Sequence, residues 1–224
     1  MNPPVRHSQI SLRRVVTRLR EIHHWEGTRG ILNRMLALMG YRQLGWYLHS
    51  LQDGAQPVEA CTAFEFAELS AKDVGRYVVF RRGAREADIL ARMAAGNRCF
   101  AALCDGEIAS VSWVGVNEGY MQLIDYRFPL EPDEIYVFDS FTARNYRGQK
   151  IQSALYYRLC EHFRERGYRA AITMIVPENR PNIVSRTRQG FRQTGSVTRL
   201  RLGPFSWHRF RGKRRPERPA PNLT

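Results

Sequence analysis

Residues 145–155 read NYRGQKIQSAL, shortly after EIYVFDSFT (134–142) and at the head of a segment with helical spacing. The earlier run alternates aromatic and polar residues and reads as a strand. Arg147, Gly148 and two amide side chains, Gln149 and Gln152, therefore stand where a strand hands over to a helix. A helix start exposes unpaired N–H groups and the positive end of its dipole, so this junction can hold a phosphate.

On the C-terminal side, Ile151, Ala154, Leu155, Leu159 and Phe163 recur at helical intervals, and Arg166 and Gly167 mark the helix end. YRAAITMIV then reads as a strand, a short helix starts near Pro181 and stops at Gly190, and a strand pair is expected around FRQTGSVTRLRLG. On the N-terminal side, RCFAALCDGEIASVSWVGV (98–116) gives two strands joined by an Asp105-Gly106 turn. Residues 117–133 interrupt the pattern before the next strand. CTAFEFAELS reads as a strand, AKDVGRYVVF opens a helical region reaching EADILARMAAG, and YRQLGWYLHSL (41–51) fits either a strand or a short helix. Between Gln9 and Ile22, Leu12, Val15, Val16, Leu19 and Ile22 form one apolar stripe flanked by Arg13, Arg14, Arg18 and Arg20, an amphipathic basic helix. A second helical pattern follows in TRGILNRMLALMG (28–40). The expected order is β-rich first, then β-α-β-α-β, with no internal repeat.

At 224 residues and 43% hydrophobic content the chain has room for one well-buried domain with extensions. The expected division is a basic N-terminal extension (1–51), a linker (52–58), a core domain (59–211) and a basic, proline-containing, disordered tail (212–224). The net charge of +14 is concentrated at the ends: eight Arg against two Glu in residues 1–50, seven Lys or Arg against one Glu in 201–218. Charge confined to the termini does not point to nucleic acid; it leaves room for a peripheral membrane or acidic-protein contact through the N-terminal helix. Cys61, Cys99, Cys104 and Cys160 match neither a zinc pattern nor a disulfide framework and read as small buried hydrophobes in a reducing, cytoplasmic compartment. His23, His24, His162 and His208 form no metal-like set with them.

The element order from 59 to 203 resembles the GCN5-related N-acetyltransferase superfamily. That family's phosphate-cradling motif, Gln or Arg, two residues, Gly, one residue, then Gly or Ala, is occupied by Arg147-Gly148-Gln149-Lys150-Ile151-Gln152, and its later pattern of Asn followed eleven residues on by Gly-Phe is matched by Asn179 and Gly190-Phe191. Lys150 and Gln152 replace the two small residues of the motif. Where the family often carries a Tyr general acid seven residues after the Asn, this chain has Arg186. The long basic N-terminal extension and the bulky residue at the second small position resemble acyltransferases encoded with surface-polysaccharide genes.

The resemblance implies an α/β fold with a mixed, largely antiparallel sheet flanked by helices. It implies an acyl-CoA-dependent N-acyltransferase moving acetyl from acetyl-CoA, without a metal, to a small amine such as an amino sugar. It further implies that Ser140, Phe141 and Thr142 present backbone groups to the pantetheine and thioester. Gly148, Gln149, Lys150, Ile151, Gln152 and Ser153, together with Arg147, hold the pyrophosphate, and Asn179 contacts the cofactor. Asp139 and Glu134 are the candidate proton acceptors; five residues apart on a regular strand they point to opposite faces unless a bulge intervenes, and Asp139 lies closer to the expected thioester. Two alternatives stand beside this reading: an acyltransferase using acyl carrier protein as donor, and a non-catalytic binding module that keeps the fold.

Overall fold

The computed structural model describes residues 35–37, 39–53 and 57–214. The N-terminal helix expected from sequence, His23 and His24, and the end of the basic tail (215–224) lie outside them. Among the described residues from 41 on, ten strands and four α-helices follow in chain order: β1 (Tyr41–Ser50), β2 (Glu65–Leu69), α1 (Val74–Phe80), α2 (Glu86–Ala94), β3 (Arg98–Cys104), β4 (Glu107–Gly115), β5 (Glu118–Met121), β6 (Tyr126–Pro129), β7 (Glu134–Thr142), α3 (Ile151–Arg164), β8 (Ala170–Ile175), α4 (Arg180–Arg188), β9 (Arg192–Leu202) and β10 (Phe205–Gly212). Eight strands form one mixed, mostly antiparallel sheet in the order β10-β9-β1-β8-β7-β4-β3-β2; β5 and β6 form a separate pair.

The β3–β4 turn has the backbone its residues favour. Asp105 and Gly106 both adopt positive φ, 49° and 80°, as a two-residue hairpin turn whose twist matches the flanking strands requires. Residues 41–50, placed in the N-terminal extension by sequence, form a strand of the sheet. β1 pairs antiparallel with β8 on one side and β9 on the other. Its alternation sends Leu44, Trp46 and Leu48 into one cluster and Tyr47 into another. The closing strand pair is also larger than its sequence signal: β9 runs eleven residues, and β10 takes in His208, which the sequence assigns to no element and which here contacts the Ile124 carbonyl at 2.6 Å.

The two faces of the sheet are covered differently. α3 packs Ile151, Leu155, Leu159 and Phe163 against Phe100, Val114, Ile135 and Val137. The opposite face carries Val74 and Tyr77 of α1 and Ile89 of α2 against Val111 and Trp113, and further along Phe128 of β6 sits edge-on to Trp46 (4.7 Å) and Tyr136 (5.2 Å). Cys99, Cys104 and Cys160 are buried as expected, but Cys61 is exposed, because it lies in the irregular segment before β2 and gives its backbone N–H to the Gln149 carbonyl instead of packing. His162 sits on α3 among the rings of Phe66, Phe100 and Phe163, and burial pulls its pKa below the ordinary value. No helix among the described residues is long and apolar enough to cross a membrane.

Two features of β7 position the site. It runs parallel to β8 for only three register pairs, from Glu134↔Ala170 to Tyr136↔Ile172, and then the strands part. On its other side the register against β4 shifts: Trp113 pairs with Phe138 but Val111 with Phe141, so Ser112 faces both Asp139 and Ser140. This is a bulge, and its extra residue, Asp139, has φ 43°. Asp is among the few non-glycine residues that tolerate that conformation.

Candidate active site

The bulge decides where the strand's functional groups go. It restores Phe141 to the face of Phe138, sends Ser140 toward α3 and α4, and leaves Asp139 aimed at α1 and α2. Ser140 Oγ lies 2.9 Å from Ser112 Oγ and accepts an N–H from Arg186 of α4 at 2.7 Å. Asp139 accepts from Arg81 at 3.0 Å and from Arg92 at 2.6 Å. Glu134 starts the same strand in a buried position, where its Oε2 accepts the backbone N–H of Glu131 at 3.0 Å. The bulge brings Asp139 to the face of Glu134, yet the two remain at different depths of the strand. Only Asp139 adjoins the point where β7 leaves β8.

At the strand-to-helix junction, Gly148 and Lys150 have φ 80° and 59°. A Cβ on Gly148 would meet open space, so the backbone conformation, not crowding, is what favours glycine there. Lys150 caps α3 without a side-chain hydrogen bond, and the first turn carries no acidic residue. The amides of this turn therefore keep their positive end for a ligand. Arg147 donates from Nε to the Thr142 carbonyl at 3.2 Å and lies 5.7 Å from the centre of the Phe141 ring. Gln149 is tied back to Asn145 and Thr62.

Gln152 does not obstruct this turn. Its side chain points under the helix into the sheet, where Oε1 accepts from Ser110 at 2.7 Å and Nε2 donates to Ser112 at 2.9 Å. The bulk that sets this chain apart from the small-residue motif is spent on satisfying two fully buried serines of β4. A polar network thus runs from Thr142 through Ser110, Gln152, Ser112 and Ser140 to Arg186.

Arg186 is 3% exposed and, among the described residues, has no carboxylate partner. It donates to Gln189 at 3.1 Å and lies over the rings of Tyr156 (4.8 Å) and Phe191 (5.5 Å). Burial lowers its pKa from the ordinary arginine value, while hydrogen bonds and ring faces stabilise the charge. Burial pushes the pKa of the neighbouring Cys160 thiol up to about 12. Asn179 accepts the Asn182 N–H at 3.3 Å as the cap of α4. Gly190, φ 95°, leaves room for His49: a Cβ there would lie 2.6 Å from His49 Nε2. The Asn-to-Gly-Phe pattern thus marks the start and end of α4.

The structure brings Ser140, Thr142, Arg147, Gln152 and Arg186 into one region around the split between β7 and β8, with the uncapped start of α3 at its end. Sequence reasoning misses Arg81, Arg92, Ser110 and Ser112. The two arginines lie 58 and 47 residues from Asp139, on helices where charged residues ordinarily face water. The serines sit in a hairpin with no local sign of function.

The model of the acetyltransferase (GNAT) family matches residues 65–191, more than half of the chain, and the chain belongs to that family. No curated protein matches at a significant level. Among solved structures, the chain is similar to a GCN5-related glucosamine N-acetyltransferase region of a fungal multi-domain GH3 β-N-acetylglucosaminidase, with 9% identity, TM-score 0.55, and coverage of 76% of this chain and 22% of that one. It is also similar to a Drosophila protein (13%, TM-score 0.51, 77% and 56% covered) and to a putative GNAT acetyltransferase from Novosphingobium aromaticivorans (18%, TM-score 0.49, 70% covered). The chain spans 62% of the length of the Novosphingobium protein.

Proposed function

We propose that this chain is an N-acetyltransferase that uses acetyl-CoA as donor and the amine of a small molecule, such as an amino sugar, as acceptor. The observation that carries the reading is the junction of β7 and α3: a strand freed from its neighbour after Tyr136, followed by a helix start with two positive-φ residues, no side-chain cap and no acid in its first turn.

Acetyl-CoA, when bound, would supply an activated acyl carbon for the amine nitrogen, with the CoA thiolate as the leaving group that ends up carrying the amine's proton. The chain's own residues bind and orient. The N–H groups of the turn into α3, from Gly148 to Gln152, with Arg147, Lys150 and the Ser153 hydroxyl, hold the pyrophosphate; the Ser153 N–H itself donates to the Lys150 carbonyl at 3.0 Å. Ser140 to Thr142, unpaired toward β8, offer backbone groups to the pantetheine. Arg186 holds positive charge next to Ser140, where negative charge grows during acyl transfer and a preformed cation is worth most. Asp139 retains lone pairs beyond its two arginine contacts and orients the incoming amine; Glu134, deeper on the strand, has a supporting role. Asn179 contributes by fixing the start of α4. The inward turn of Gln152 favours a working donor site over a module that has lost it.

Calorimetry with acetyl-CoA tests the donor site. Gly148→Pro forces φ from 80° to about −65°, and affinity is expected to fall roughly tenfold or more, about 1.4 kcal/mol. Unchanged affinity would place the donor elsewhere. Transfer that needs acyl carrier protein and fails with acetyl-CoA would replace the donor while keeping the site.

A further inference from the structure

We propose that Arg81 and Arg92 form an anion-receiving pocket on the acceptor side of the bulge, so that the amine substrate carries a carboxylate or a phosphate. The inference rests on the donor reading above and adds to it the chemical class of the acceptor.

Arg81 ends α1 and Arg92 lies in the last turn of α2. Both reach across the sheet face to one carboxylate, Asp139, each with a single N–H to a different oxygen. A guanidinium carries five N–H donors. Among the described residues neither side chain makes another hydrogen bond, and neither has another acid within salt-bridge reach. Two cations thus share one anion and leave an excess positive charge.

That excess lies where a ligand can use it. The side chains of Arg81, Arg92 and Asp139 are 31%, 32% and 26% exposed, open to solvent but well short of free in it, so a contact made there is less screened than one on an open surface. Their ring partners fix the planes: Arg81 lies 4.1 Å from the centre of Phe141, and Arg92 5.4 Å from Trp113. A stacked guanidinium keeps its edge donors for a planar or tetrahedral oxyanion, the geometry in which arginine binds carboxylate and phosphate. Phe141 also carries Arg147 of the donor loop, so the cluster borders the place where the acyl group is read.

The test uses matched amines with the full chain: glucosamine against glucosamine 6-phosphate, and glycine against glycinamide, read as release of free CoA thiol from acetyl-CoA. The expected result is a kcat/KM at least tenfold higher for the anionic member of one pair, with the pair that responds identifying phosphate or carboxylate. The preference is expected to shrink toward unity in Arg92→Gln, to recover in part in Arg92→Lys, and to fall as salt rises. Arg81→Gln reads the same pocket if Arg92→Gln does not fold. If none of the four amines is acetylated, their binding to the CoA-saturated protein by calorimetry is judged by the same criterion. Equal or better use of the neutral partners in both pairs, a preference untouched by both Gln variants, or no binding of either anionic amine overturns the inference. Failure to bind acetyl-CoA at all would instead overturn the donor reading.

Discussion

Asp139 shows how one residue can carry both backbone and charge. Its φ of 43° makes the bulge, the bulge separates it from Ser140, and its two oxygens hold Arg81 and Arg92 at 3.0 and 2.6 Å. Removing the charge leaves two guanidiniums facing an amide. Asp139→Asn is therefore expected to lower stability by about 1–3 kcal/mol, below the range for a fully buried pair because the groups are part-exposed. Adding Arg92→Gln should recover part of the loss in a double-mutant cycle of thermal or urea melts. Turnover in Asp139→Asn should fall roughly 10²-fold through loss of amine orientation or proton transfer, whereas Glu134→Gln should cost less; the reverse ranking in steady-state rates would move the role to Glu134. The sequence makes Asp139 visible as a carboxylate near a strand end. Its partners are invisible there, because no local spacing links a bulge to two helix ends some fifty residues away.

At the scale of elements, β1 is the departure with the largest consequence. It lies between β8 and β9 and contributes Leu44, Trp46 and Leu48 to the core, although its ten residues alone fit a strand or a short helix equally well. What decides the matter is tertiary: β8 and β9 have no direct pairing, so only β1 joins the outer pair to the rest of the sheet. A chain starting at residue 35 should therefore melt cooperatively, while one starting at 52 should lose near-UV circular dichroism and its sharp transition. A cooperative melt of the shorter chain would show β1 to be dispensable. Elements with strong local chemistry were legible without this help: the Asp105-Gly106 hairpin, the α3 helix with its apolar stripe, and β7 all lie where their sequences indicate. The bulge in β7 was not legible, since EIYVFDSFT alternates as though it were regular, and the inward turn of Gln152 depends on serines that arrive from another hairpin.

Across the whole molecule, the two faces of the sheet carry different polar groups that meet at β7. One face, under α3 and α4, carries the polar network ending at Arg186; the other, under α1 and α2, carries Asp139 with its two arginines. The split between β7 and β8 lies between them, the arrangement that the proposed transfer from donor to acceptor would need. Net charge foretold none of this, because most of the +14 sits in the termini, while the charges that matter for the site are a few arginines in the middle of the chain. The proposed function places the donor in this split with its phosphates on α3. Hydrogen–deuterium exchange on the full chain with and without acetyl-CoA tests it most directly: added protection is predicted at residues 137–142 and 148–153 and little elsewhere, and binding that leaves both segments unchanged while protecting another part of the sheet would contradict it.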